Sequence, residues 1–583
     1  VIARRWVVLL VLLGSVLCGC VSIPDSGPVR TDEAGRPQQP APARIRPAGP
    51  ADGASPRDIV NGYLQAMMAS PVRYDIARRF LTADAGADWN PRASVTVYSQ
   101  SSVSEPEVSG PEQDVALDLV REAVLTSQGR YAVPGQRDQH LELRLVSEDD
   151  QWRIANPPSG IFVTSSFFES YYDLVSAYFF NPTGQQLVAE PVHLPDDENR
   201  ATYLMESLLA GPAGLVGGQA RTFIPDTYTL ARPVEIDGQG TAHVQLSGAD
   251  SGIGTEAAER MSAQIVWTLR QVPGVTGVEI LVGDQPIALP DMPDVQRVDS
   301  WNQFDPAAQL PAQLFAMREG RLVVVDRATV SPFAGPWGSE PHPVDDFRVS
   351  ADASSIAVVS RTRTLVQVSP LSDEPELTTV TTGTDLLRPS WDAAGRLWVV
   401  DRSRGQTTIT VGVPGERTRS VATGLLAEAR VTGFELTGDG ARVLATATAD
   451  GGRRIVLVAA VRYDPETGAV LGLSDVRELP LPAGTGSPMS AAWRSPTSIA
   501  VLARAQDRAP QVSVISVDGS SSLTGAVRLG LLSQGNAVQV LCPGQLTDPL
   551  YVHGTDGLLR TQDTDGRWEP VAEEPVRVPS FAG

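Results

Sequence analysis

The 583-residue sequence predicts a multidomain chain of α+β and all-β character, two α+β modules followed by a six-bladed β-propeller, with seven blades left open. Three observations carry this. Helical spacing gives way to short alternating strands over residues 56–180, and the same switch recurs over 181–290. Across 291–583 the texture becomes a repeated unit of polar turn, apolar strand, second turn and alternating strand. Its strand starts at Leu322, Ile356, Leu397, Val443, Ile499 and Leu550 lie 34, 41, 46, 56 and 51 residues apart, the range of propeller blades rather than solenoid repeats. Length agrees, since about 150 residues per domain asks for three or four domains.

The first element is a signal. Arg4 and Arg5 precede an apolar run from Trp6 to Leu17, which fits the ~7–15 residues of a secretory h-region and falls short of the ~20 that span a bilayer. Gly14-Ser15 interrupts the run, which argues against an uncleaved anchor. Its end, Leu17-Cys18-Gly19-Cys20, resembles the lipobox of bacterial lipoproteins. That resemblance implies cleavage between Gly19 and Cys20, with residues 1–19 removed and Cys20 carrying S-diacylglycerol and an N-acyl chain. Cys18 stands where Ala or Ser is commoner, and bulky Leu17 before it makes it the poorer candidate. Acyl chains contribute about 0.8 kcal/mol per buried methylene, so more than one chain holds a protein on a membrane where a single chain does not. The expected location is the extracytoplasmic face of the cell membrane.

Residues 20–55 follow as a Pro-rich tether with almost no large apolar side chain, unable to offset its ordering entropy. Extended at ~3.1 Å per residue, it reaches on the order of 100 Å.

In 56–180, Ile59, Tyr63, Met67, Ile76 and Phe80 fall at helical spacing, with Pro71 breaking the run in two. Strands are expected at Val95–Tyr98, Asp114–Leu119, Leu141–Val146 and Trp152–Ile154. Tyr63, Met67, Met68 and Trp89 read as core first and as the wall of a small-molecule pocket second. The aromatic stretch Ile161–Phe168, Tyr171-Tyr172 and Tyr178–Phe180 reads either as a docking surface or as strands buried between domains. In 181–290, a strand at Leu187–Ala189, a helix from Asn199 to Leu209 stopped by Gly211-Pro212, and strands at Thr241–Leu246 and Val278–Val282 flank a helix from Ala257 to Gln271. Leu208–Pro212, Ile224-Pro225, Ala263–Leu269 and Pro273-Gly274-Val275 resemble a GerMN domain, a resemblance that brings no catalytic residues.

Composition excludes several chemistries. The net charge of −21 argues against a nucleic-acid partner, and losing Arg4 and Arg5 makes it more negative. All 47 basic residues are Arg, so there is no P-loop lysine, Schiff base or Ser-x-x-Lys nucleophile. Codon bias toward arginine explains this without a functional pressure. With Cys20 acylated, Cys542 at a buried strand end has no disulfide partner expected. No cofactor, metal or catalytic set is predicted, so no enzyme is expected. Asp563–Gly566 echoes a calcium loop without its glutamate and reads as a turn. His342–Asp346, a base with carboxylate support at the propeller mouth, is the weak exception.

Lipobox, tether, α+β module, GerMN-like module and propeller, in that order, resemble the LpqB lipoproteins of high-GC Gram-positive bacteria. The resemblance implies an accessory to the MtrA–MtrB two-component system that binds the extracytoplasmic domain of an MtrB-like sensor kinase and modulates it in cell-envelope and cell-division control. The alternative is an envelope hydrolase or carbohydrate-binding protein using the propeller mouth. Converging free carboxylates, a metal or a polar funnel there would favour the alternative. A sealed channel and an exposed apolar patch would favour docking.

Overall fold

The computed structural model describes residues 44–105, 110–248, 253–290, 292–306, 313–326, 329–372, 376–403, 406–482, 484–504, 509–520, 537–544, 548–562 and 567–583. The signal segment, most of the expected tether and the Asp563–Gly566 turn lie outside them. The last part of that tether, residues 44–55, is instead laid onto the first module. Ile45 bridges Ser70 through its backbone, and Gly49 sits under the Arg79 guanidinium, where a side chain would clash.

Helix α1 (Pro56–Ala66) opens the first module, with Pro56 in its first turn and the Ser55 hydroxyl accepting from Asp58 N–H. Two short helices follow, α2 (Asp75–Arg78) and α3 (Ala83–Asp88). They pack on a sheet of β1 (Ser94–Val103), β2 (Glu112–Thr126), β3 (Tyr131–Ala132), β4 (Asp138–Glu148), β5 (Gln151–Ile154) and β6 (Ile161–Thr164), ordered β5-β4-β2-β1-β6. Tyr63, Met67 and Trp89 are buried in this core and the Tyr63 and Trp89 rings lie 5.8 Å apart, so the core expectation holds over the pocket wall.

The aromatic stretch is buried, but it is not all strand. Thr164 caps α4 (Ser165–Tyr171), accepting from Phe167 N–H. Strand β7 (Tyr172–Phe180) pairs antiparallel with β8 (Leu187–Pro195), and Ala177, Phe179 and Phe180 join the core of the second module. The division between the two cores therefore falls near Tyr172 rather than at residue 180. The second core likewise runs beyond 290, because Trp301 belongs to it and Phe304 packs against it. Its helices are α5 (Arg200–Leu209) and α6 (Thr255–Leu269), and its central strands β9 (Thr241–Ser247) and β10 (Gly277–Val282) run parallel. Gly211, at φ +78°, ends α5 in the left-handed conformation that a helix stop favours.

Six further sheets make the propeller, five of four strands and one, the fifth, of three described strands. The A–B turns of three blades share one device. Asp352, Asp392 and Asp439 each accept the backbone N–H two residues on, at 3.1, 3.0 and 2.9 Å. Ring closure was not visible in the repeat. The C-terminal strand Arg577–Phe581 pairs with Leu314–Arg318 and supplies the innermost strand of blade 1. Each pair of neighbouring blades then shares an apolar cluster; Leu541 and Leu559 of blade 6 meet Leu314 and Val325 of blade 1 in the one that closes the circle.

Candidate functional site

The innermost strands are Arg577–Phe581, Val344–Val349, Ser390–Trp391, Arg430–Leu436, Ser487–Ser495 and Ala537–Leu541, for blades 1 to 6. Arg348 of blade 2 donates through Nη2 to Glu435 Oε1 of blade 4 at 2.9 Å, skipping blade 3. Its Nη1 donates to Ser580 Oγ and the Phe581 carbonyl of blade 1, at 2.9 and 3.2 Å. Glu435 Oε2 accepts from Trp493 N–H of blade 5 at 3.2 Å. Side chains from blades 1, 2 and 4 and a backbone N–H from blade 5 thus meet at this level. In a second pair, Arg388 Nε donates to Asp346 Oδ1 at 2.6 Å and Nη1 to the Pro579 carbonyl at 3.1 Å.

The electrostatics follow from burial. Desolvation lowers the Arg348 pKa, and the Glu435 carboxylate opposes that shift. Both axial carboxylates are engaged by guanidinium groups, Glu435 by Arg348 and Asp346 by Arg388. His342 does not assemble with its neighbouring carboxylates. Its ring stacks on Trp337 at 4.0 Å, while Asp345 pairs with Arg363 and Asp346 with Arg388. The Cys542 thiol is buried and its pKa raised by desolvation, which suits an inert core residue. Among the described residues no cluster of three His, Cys, Asp or Glu is placed to hold a metal ion.

Among the described residues of the propeller, the large apolar side chains left exposed are Leu377, Val413, Leu471 and Val538, in blades 2, 3, 4 and 6. Gly19 and Cys20 lie outside the described residues, so the lipidation site remains an expectation from sequence. The axial residues escaped the sequence reading, although a signal existed. Arg348 stands between Phe347 and Val349, and Glu435 between Phe434 and Leu436, each a charge inside an apolar strand.

Fold and axis together define a multi-module propeller protein whose central passage is occupied by arginine–carboxylate pairs. Residues 49–169 match the family model described as "Lipoprotein LpqB, N-terminal domain", and 320–582 the one described as "Lipoprotein LpqB beta-propeller domain". Residues 176–288 match a model described as "Sporulation and spore germination". Lipoprotein LpqB of Streptomyces coelicolor is 27% identical over 543 residues, covering 87% of each chain. Lipoprotein LpqB of Mycobacterium tuberculosis is 27% identical over 598 residues, covering 94% of each. Among solved structures, TolB from Acinetobacter baumannii is similar at 17% identity over 54% of this chain and 85% of its own, with a TM-score of 0.31. The chain belongs to the LpqB lipoprotein family. No helix among its described residues is long and apolar enough to cross a membrane.

Proposed function

We propose that this protein is anchored by lipid at Cys20 on the extracytoplasmic face of the cell membrane, where it binds the extracytoplasmic domain of an MtrB-like sensor kinase and favours one of its signalling states. The observation that carries this reading is the propeller axis, where the Arg348–Glu435 and Arg388–Asp346 pairs neutralise the carboxylates a hydrolase would need. What is left to the propeller is its rim of loops, a broad rigid surface suited to contact. Contact through such a rim need not be strong. Anchoring both partners in one membrane plane raises their effective concentration without any new contact. Modulation requires only that the two kinase states bind with different affinity.

Cross-linking in intact cells, followed by purification from membranes, tests the reading. The wild-type chain is expected in the membrane fraction with a sensor kinase attached, and Cys20→Ala is expected in the soluble fraction without it. Wild-type protein retained on the membrane and cross-linked to no sensor kinase would overturn the proposal. Polysaccharide cleavage by purified wild-type protein that is lost in Glu435→Ala would favour the hydrolase.

A further inference from the structure

Strand β8 touches every part of the folded chain. It pairs with β7 in the second core. Toward the first module, His193 N–H donates to the Gly129 carbonyl at 2.7 Å, and Glu190 Oε1 accepts from Arg130 Nε at 2.9 Å. From the propeller, Arg442 donates to the carbonyls of Ala189 and Pro496, and Asp518 Oδ2 lies 2.9 Å from His193 Nε2. The His193 ring packs against Tyr131 and Phe168 of the first module, 5.3 Å from each. It is 1% exposed and the Asp518 side chain 8%.

These groups are polar, buried and tied to one another. Burial pushes the Asp518 carboxyl up, yet His193 beside it holds it below the usual carboxylate range. Among the described residues His193 Nδ1 has no hydrogen-bond partner, so the ring is hydrogen-bonded through Nε2 alone. Apolar surfaces slide past each other at small cost, whereas parting the Asp518 carboxylate from His193 leaves it desolvated and held on the Oδ1 side alone, by the Ser520 N–H at 2.8 Å.

We propose that the His193–Asp518 contact on β8 is a coupling latch that makes the first module, the second module and blade 5 of the propeller open and close as one. Whatever docks on the propeller is thereby felt at Gly129 and Arg130, within the module that the tether enters. The latch does not depend on which partner docks.

Hydrogen exchange of the full chain, read by mass spectrometry, tests it with His193→Ala, Asp518→Ala and Asp518→Asn. His193→Ala leaves the Oδ2 side of the buried Asp518 carboxylate without its partner. Exchange is then expected to rise together, at least about tenfold, in peptides covering 126–132, 187–195 and 511–520, while 344–370 in blade 2 keeps wild-type protection. Coupling is reciprocal, so Asp518→Ala is expected to give the same pattern from the propeller side. Asp518→Asn retains an acceptor for Nε2–H and is expected to stay within about threefold of wild type. Changes confined to β8 in the first variant or to blade 5 in the second overturn the latch, as does a rise spread evenly over the whole chain. Should His193→Ala fail to accumulate, Asp518→Ala and Asp518→Asn decide the question alone.

Discussion

Replacing Glu435 with alanine is expected to loosen the propeller at its axis, and the size of the effect follows from what Arg348 loses. Arg348 is 6% exposed and is held by one carboxylate oxygen and two neutral acceptors, Ser580 Oγ and the Phe581 carbonyl. Removing one partner of a buried pair costs about 3–5 kcal/mol, because the remaining charge stays desolvated. The Glu435 side chain keeps 27% of its exposure, which places the loss at the lower end. The Trp493 N–H that Glu435 Oε2 satisfied adds about 1 kcal/mol when left without an acceptor. A total of about 4 kcal/mol, at about 2–4 °C per kcal/mol for a domain of this size, lowers the propeller midpoint by about 8–16 °C. Near-UV circular dichroism on heating reads this directly, since Trp391, Trp398 and Trp493 are buried in blades 3 and 5. The paired replacement Arg348→Met with Glu435→Leu removes both charges and is expected to recover most of the loss. A shift under about 2 °C for Glu435→Ala, or a double variant no better than the single, refutes the axial pair as a source of propeller stability.

Three further outcomes are expected. His243 of the second module has Nδ1 2.7 Å from Glu279 and Nε2 3.3 Å from Asp237, and the Glu279 hydrogen bond raises its pKa above 6.5. Its contribution is therefore full below pH 6.5 and lost as pH rises through the folded-state value; denaturant midpoints of wild type are expected to fall over that interval, and His243→Asn to flatten the fall. Gly160 has φ +85°, and an added Cβ would lie 2.5 Å from the Ser94 carbonyl oxygen at the mouth of β1, so Gly160→Ala is expected to destabilise the first module by about 2 kcal/mol or more in urea titration. Cys542, buried and with its pKa raised, is expected to resist iodoacetamide in the folded chain at pH 8 and to react once guanidinium unfolds it, as intact-mass measurement will register.

What was legible in the sequence was periodic. Helix α6 and the parallel strands β9 and β10 announce themselves because their apolar residues recur at 3.6 or at 2, and the blades because Asp-rich turns punctuate short apolar runs. The seven-residue α4 escaped because Phe167-Phe168 and Tyr171-Tyr172 read equally well as strand, and only the Thr164 cap marks a helix start. Circular closure escaped for another reason. Pairing Phe315 with Ser580 joins residues far apart in the chain, and nothing local in Arg577–Phe581 distinguishes a first strand from a fourth.

The arginine bias takes on a different sense once the buried cations are located. A preference for arginine codons accounts for its use on the surface, but not for what Arg348, Arg388, Arg442 and Arg130 do. Arg348 reaches blades 1 and 4 at once, Arg388 blades 1 and 2, Arg442 the second module and blade 5, and Arg130 joins Glu190 to the Gly211 carbonyl. Each position requires donors in a fixed planar fork directed at separate acceptors, which guanidinium provides and a compact ammonium does not. Whatever fixed the bias, the junctions of this fold are built on the geometry that arginine alone supplies, so a lysine at any of these four positions restores the charge and leaves an acceptor on a neighbouring element unserved.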